Sequence, residues 1–466
     1  MHKSVKIIIA FGIPLLLLLV PLQNYPLEGI TMVEKRMLVI LVLAALCWIM
    51  EPIPVFATSV LIIVLELVMI SDKSFILFRE GIDGKTLGTL ISHKEIMSTF
   101  ASPIIMLFLG GFFLAMAATK FRLDQNLARV MLKPFGSKPN IVMLGLMAIT
   151  AIFSMFMSNT ATTAMMLSIL APVLTLFPSG DKGKIGFALS IPIAANLGGI
   201  GTPIGSPPNA IALKYLTGGN AVSFGEWMVF GLPYAIVMVL IGWFVLTKIY
   251  PATIENIDLN IKGKFLRTSK AIIVYITFGL TILLWLTDFL HGMNSYIVAL
   301  IPVAVFTVSG IITKTDLKII SWDVLWLVSG GIALGLGLEQ SGLAQHFIDA
   351  IPFGEFPAYT LIISATILAA LMANFISNTA TANLLLPIVA ALASSIESLQ
   401  AFGGVKNLVI MTALSCSMGL LLPVSTPPNA LAFGTGYFET KDMVKVGVFT
   451  LITGYLLIHL LGFLLN

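Results

Sequence analysis

Charge is what this 466-residue chain has least of: 10% of its residues are Asp, Glu, Lys or Arg, against 58% hydrophobic. A compact globule of that composition would not expose enough polar surface to stay in solution, so the chain reads as an integral membrane protein. Cysteine is nearly absent too. Cys47 and Cys416 both sit inside apolar runs, which excludes a disulfide framework and leaves no metal-binding spacing. The net charge of +4 is dispersed over loops and points neither to nucleic acid nor to a polybasic lipid tether. Gly84-Lys85-Thr86 lacks the upstream glycine of a Walker sequence, which excludes nucleotide hydrolysis by that route. There is no row of intramembrane arginines to sense voltage, and none of the short alternating segments of a membrane barrel.

What is there instead is a series of apolar runs of about 17 to 25 residues, the length that crosses a hydrocarbon core as helix. Helices satisfy their own backbone in lipid, so the fold class is all-α. The runs and their flanks predict helices near 7–22, 36–50, 55–70, 103–119, 185–215, 227–247, 271–290, 296–312, 324–340, 405–433 and 443–464. Ile7 to Val20 is read as the first of these rather than a cleaved leader, because Gln23-Asn24-Tyr25-Pro26 suits a membrane-exit loop. Basic residues favour the cytoplasm. They gather at Lys120, Arg122, Arg129, Lys133 and Lys138, at Lys248, Lys262, Lys264, Arg267 and Lys270, and at Lys314 and Lys318. A cytoplasmic N-terminus puts all three groups inside and the C-terminus outside. Glu51, Glu66 and Glu339 fall near helix ends, and His291 and His346 fall in loops. Gly331 and Gly335 form a small-xxx-small pattern that suits helix packing.

One polar phrase is written twice. Ser158-Asn159-Thr160-Ala161-Thr162 recurs as Ser377-Asn378-Thr379-Ala380-Thr381, and Ser206-Pro207-Pro208-Asn209-Ala210 recurs as Thr426-Pro427-Pro428-Asn429-Ala430, at an offset of 219 to 220 residues. Such corresponding polar, Pro-interrupted segments in two hydrophobic halves mark the binding site of a secondary transporter. Pro139 to Gly180 and Phe356 to Ile396 contain no charged residue, and the phrase lies at the centre of each block. Each block therefore begins and ends on one face, as a re-entrant hairpin or as two complete crossings with the phrase in the far loop; small neutral polar groups at the tip favour the re-entrant form. Five crossings separate the two hairpins. An odd number brings the second in from the opposite face, which makes the duplication an inverted repeat.

Ser, Asn and Thr supply hydroxyls, amide donors and carbonyl acceptors without formal charge. A helix start at the tip favours an anion, and free carbonyls at a helix end suit a hard cation. Proline cannot continue a helix, so Gly201 to Pro208 and Pro423 to Pro428 are expected to break theirs and free more backbone oxygens. A single such tripeptide would read as polar glue between helices; two copies, each paired with a Pro-Pro-Asn break, read as a site. With no Asp or Glu in either block to relay protons, the coupling ion must bind neutral oxygens, and sodium fits.

These residues resemble the divalent anion/sodium symporter family, the INDY-type dicarboxylate transporters, over nearly the whole chain. The two Ser-Asn-Thr phrases, the two Pro-Pro-Asn-Ala phrases and Trp48 to Pro54 carry the resemblance. It implies a homodimer of eleven-helix protomers in the cell's inner (plasma) membrane, with a scaffold and a mobile body that moves like an elevator. Residues 1–138 and 248–355 would be scaffold, and 139–247 and 356–466 the mobile body. It implies a sodium site at Ser154, Ser158, Asn159 and Gly205 and a second at Ala373, Ser377, Asn378 and Ser425. Substrate carboxylates would meet Asn159, Thr160, Ser206, Pro207, Ser377, Asn378, Thr379, Thr426 and Pro427. Ala373 departs from the pattern, since symmetry places it opposite Ser154. The expectation is sodium-coupled symport of a small dicarboxylate such as succinate, fumarate or malate. A sodium-independent exchanger and an anion channel are the alternatives; an enzyme is not, since neither block holds His, Cys, Asp or Glu for acid-base or nucleophilic work.

Overall fold

The computed structural model describes every residue except Met1, Pro26, Ser179, residues 258–263 and Asn466. Pro26 of the expected exit loop and Lys262 of the second basic group thus lie outside the described residues. The longer helices are α1 (Lys3–Leu19), α2 (Met32–Met50), α3 (Val55–Met69), α4 (Pro103–Lys120), α5 (Leu123–Leu132), α6 (Pro139–Phe156), α7 (Asn159–Leu174), α8 (Gly183–Gly198), α9 (Pro207–Leu213) and α10 (Phe224–Ile249). They continue as α11 (Ser269–Leu286), α12 (Ser295–Val308), α13 (Trp322–Gln340), α14 (Leu343–Ala350), α15 (Ala358–Phe375), α16 (Asn378–Ser395), α17 (Gly404–Cys416), α18 (Pro427–Phe433) and α19 (Thr440–Leu464). Among the described residues, eight helices are long and apolar enough to cross a membrane. Large apolar side chains such as Leu16, Ile276, Val308 and Phe463 are exposed on the outer surface, as lipid contact requires.

The duplication is structural. The series α2 to α10 repeats as α11 to α19, element for element, and leaves α1 outside the repeat. The halves interlock: α4 packs on α12 of the second half, and α13 packs on α3 of the first. Both contacts use glycine, because backbones approach too closely for a Cβ. Gly110 lies against the Ala299 carbonyl, and Gly330 lies against Ser59.

Both hairpins form where the uncharged blocks place them. The chain turns extended for a residue at Met157 and Ile376, and the next serine caps the returning helix. Ser158 accepts from Ala161 N at 3.2 Å, and Ser377 from Ala380 N at 3.2 Å. The predicted breaks are present but open earlier than the prolines, with α8 ending at Gly198 and α17 at Cys416. The residue before a proline is disfavoured in helical geometry and glycine holds a helix weakly, so the ladder fails upstream. Each helix restarts with proline at its first position, where a missing N–H costs nothing.

Some readings need correction. His291 ends the short helix Asp288–His291, and His346 lies within α14, its Nδ1 3.2 Å from Glu34 Oε1. Glu66 is near a helix end but fully buried. Glu51, by contrast, terminates α2 in left-handed geometry, φ 47°, as a membrane-edge cap should.

Candidate functional site

In the first half, three oxygens crowd behind the hairpin tip. The Ser154 hydroxyl lies 2.5 Å from Asn159 Oδ1 and 2.7 Å from the Ala195 carbonyl oxygen. The hydroxyl has one proton for the two, and the Ala195 carbonyl also accepts from Gly199 N–H, so Asn159 Oδ1 is the acceptor short of a donor. Glycine brings further carbonyls in. A Cβ on Gly199 would sit 2.6 Å from Asn159 Oδ1 and 2.7 Å from the Gly205 carbonyl oxygen, and one on Gly205 would sit 2.9 Å from the Ser154 carbonyl oxygen. Neutral oxygens in excess of protons are the donor set a hard cation takes.

The asparagine of each Pro-Pro-Asn phrase braces its own break. Asn209 Nδ2 donates to the Gly199 and Thr202 carbonyls at 3.0 and 2.8 Å; Asn429 Nδ2 donates to the repeat-related Gly419 and Leu422 carbonyls at 3.2 and 3.0 Å. A second tie differs between the halves. Thr202 donates to the Met155 carbonyl, whereas Ser425 donates to the Asn374 carbonyl at 2.7 Å.

The second cluster lacks the hydroxyl of the first. Ala373 is fully buried where Ser154 stands in the other half, and Asn378 Oδ1 is buried with no hydrogen-bond partner. Both Asn378 Oδ1 and the Ala373 carbonyl face Gly419, where a Cβ would lie 2.6 Å from that carbonyl oxygen. An orphaned acceptor beside the Ala373 carbonyl still suits a cation, with fewer side-chain ligands. The buried hydroxyls of Thr162 and Thr381, the last residues of the two phrases, are also unpartnered.

The two breaks touch. Asn196 Nδ2 donates to Thr426 Oγ1 at 3.1 Å and Asn429 Oδ1 at 2.8 Å, and the Ser206 and Ser417 hydroxyls are 3.5 Å apart. Packing is reciprocal, α9 against α16 and α18 against α7, so each half-helix abuts the other half's hairpin. Access is not symmetric. Thr160 lines an open depression with Pro427, Ala430 and Thr435, while Thr379 is 8% exposed and packed. Ser158 and Ala161 line a second depression, whose rim carries Lys120 and Asp316. That pair is bridged at 2.6 Å. Partial burial opposes ionisation of Asp316, but hydrogen bonds from Lys120 and Thr313 outweigh it and hold the carboxyl down to about 2.

Sequence reasoning thus named Ser154, Asn159, Gly205, Asn378 and Ser425, which the structure gathers in two clusters. It missed the Ala195 carbonyl, Gly199, Gly419 and the bracing role of Asn209 and Asn429. For the asparagines the signal was present, since they repeat with the prolines.

Residues 1–465 match the family model described as the sodium:sulfate symporter transmembrane region. The chain is 32% identical over 481 residues to the sodium-dependent dicarboxylate transporter SdcS of Staphylococcus aureus, covering 93% of this chain and 86% of that protein. It is 30% identical over 448 residues to an uncharacterized transporter of Schizosaccharomyces pombe, covering 92% of this chain and 49% of that protein, so it spans about half of that relative. The solved YdaH transporter of Alcanivorax borkumensis superposes with a TM-score of 0.53 at 15% identity, covering 88% of this chain and 97% of that one, a likeness of fold alone. With its duplicated motifs, its interlocked halves and a match that runs from end to end, the chain belongs to the sodium:sulfate symporter family, the divalent anion/sodium symporters.

Proposed function

We propose that the protein is a sodium-coupled symporter of small dicarboxylates, working by alternating access. The observation that carries this reading is the pair of repeat-related clusters in which neutral oxygens outnumber protons, one behind each hairpin tip. Sodium bound there supplies the positive charge that a neutral anion site lacks. The Ser-Asn-Thr helix starts then offer amides and hydroxyls to the carboxylates, and the hydroxyls that precede the Pro-Pro-Asn starts add to them, with Asn159, Thr160, Pro207, Asn378, Thr379 and Pro427 around the substrate. The name of the staphylococcal relative favours a dicarboxylate, and the family's description names sulfate.

In this reading eleven helices cross the inner membrane and α6/α7 and α15/α16 are re-entrant. The hairpins, the broken helices, α10 and α19 (139–247 and 356–466) move as one body against a scaffold of 1–138 and 248–355. The scaffold pairs the protomers as a homodimer. With the basic loops inside, the open depression at Thr160 faces the cytoplasm. Labelled succinate entry into proteoliposomes under sodium or potassium gradients tests the coupling. Entry driven by sodium alone is expected. Entry indifferent to sodium but accelerated by internal dicarboxylate would instead favour an exchanger, a reading to which the missing hydroxyl at Ala373 lends support. A sulfate and citrate competition panel under a sodium gradient identifies the anion class.

A further inference from the structure

A charge cluster with one fully buried member stands apart from the oxygen clusters, where α9 and α16 press on α13. Glu66, three residues before the end of α3, is 0% exposed, and neither carboxylate oxygen has a hydrogen-bond partner. Lys214, capping the C-terminal end of α9, donates to the Ile332 carbonyl oxygen of α13 at 2.7 Å. Its ammonium is within electrostatic reach of Glu66 and of Glu339, the latter on α13 itself. The ammonium also lies in the notch over Gly335, where a Cβ would be 2.7 Å from Nζ. One turn back along α13 the same device recurs: Asn383 of α16 fills the notch over Gly331 and donates to the Leu327 carbonyl at 3.1 Å.

Ionisable groups at membrane depth are costly, and they mark function when they lie between bodies that move. Here both donors belong to the body assigned to motion, and both acceptors, with the two carboxylates, belong to the scaffold. Gly331 and Gly335 are one turn apart on a single face of α13, about 6 Å along its axis. A slide of one turn would pull the Lys214 ammonium from its carbonyl and leave the buried Glu66 carboxylate without its counter-ion. The contact is satisfied in one relative position of the two bodies, and in that position the depressions beside Thr160 and beside Ala161 are both open.

We propose that Lys214 is a positioning residue for transport: held by the Ile332 carbonyl and countercharged by Glu66 and Glu339, it latches the mobile body to the scaffold in the state seen here. The proposal rests on the two-body reading above. It is tested without substrate. In a background with Cys47 and Cys416 replaced, Ala161→Cys is labelled with a membrane-impermeant maleimide from each face in turn, with gel filtration to establish folded protein. On the face that labels the parent, Lys214→Met is expected to slow labelling by about fivefold or more, while Lys214→Arg keeps it close to the parent rate. Glu66→Gln alone slows it in the same direction. Combining Glu66→Gln with Lys214→Met is expected to slow labelling no further than Lys214→Met alone, because without the ammonium the carboxylate has nothing to latch. Equal rates in all folded variants overturn the latch, as does a Lys214→Met defect that Lys214→Arg shares, or strictly additive effects in the double variant. If Lys214→Met does not fold, unchanged labelling in Glu66→Gln overturns the charge coupling. Parallel sodium-driven uptake by the parent keeps failure of the latch distinguishable from failure of the symport reading.

Discussion

The two hairpin asparagines have the same place in the fold and different neighbours. Asn159 Oδ1 shares the one proton of Ser154 with the Ala195 carbonyl, whereas Asn378 Oδ1 has no partner because Ala373 has no hydroxyl. Removing Ser154 Oγ takes a ligand from the first cluster and leaves Asn159 Oδ1 without its donor, while the Ala195 carbonyl keeps the Gly199 N–H, at about 1–3 kcal/mol for a group left unpaired. Ser154→Ala is therefore expected to raise the half-saturating sodium concentration about tenfold or more. Ala373→Ser runs the other way: it restores the symmetric hydroxyl and lowers half-saturating sodium. A sodium titration of succinate uptake checks both, and an unchanged value in Ala373→Ser would mean that the second cluster holds no coupling ion. Asn159→Ala and Asn378→Ala are expected to abolish uptake with a normal folded yield on gel filtration, since these half-buried tips contribute ligands rather than core volume. Wild-type uptake in either variant would remove that tip from the site.

Among the elements, the broken helices depend most on single side chains. Asn209 and Asn429 hold the carbonyls that the lost helical ladder frees, so each break is a braced shape and not a slack one. Asn209→Ala leaves the Gly199 and Thr202 carbonyls without that donor. The thermal midpoint in detergent is expected to fall by a few degrees, and the stabilisation that sodium gives over choline to shrink, since Gly199 borders the cation cluster. An equal sodium increment in the variant and the parent would separate the brace from the site.

The breaks and hairpins were legible in the sequence because duplication, proline and absence of charge are local signals. The braces were not, because Pro-Pro-Asn reads as a helix breaker until the asparagine is seen to reach back across its own break. Nor was the burial of Glu66, which the sequence places only near a helix end. Tertiary packing against α13, where Glu66 Oε1 and Met37 of α2 lie over Gly337, encloses it, and no local pattern announces that. Gly331 and Gly335 were legible as packing residues, but what seats on them comes from α16 and α9, remote in sequence.

For the whole molecule, the decisive relation is between the halves. Asn196 reaches Thr426 and Asn429, Ser206 meets Ser417, and each half-helix abuts the opposite hairpin. In the alternating-access reading proposed above, these contacts close the way between the two faces until the halves rearrange. A channel on this scaffold would need those contacts open on both sides at once. A carrier needs only exchange one opening for the other, as the exposed Thr160 and packed Thr379 suggest. The two differ in one measurable respect. Proteoliposomes preloaded with unlabelled succinate and equal sodium on both sides are expected to accumulate external labelled succinate transiently above equilibrium, because each returning carrier brings label in while unlabelled substrate leaves. A pore passes label down its own gradient and shows no such overshoot. Flux should also saturate with external succinate, and non-saturating flux without an overshoot would turn the reading from carrier to channel.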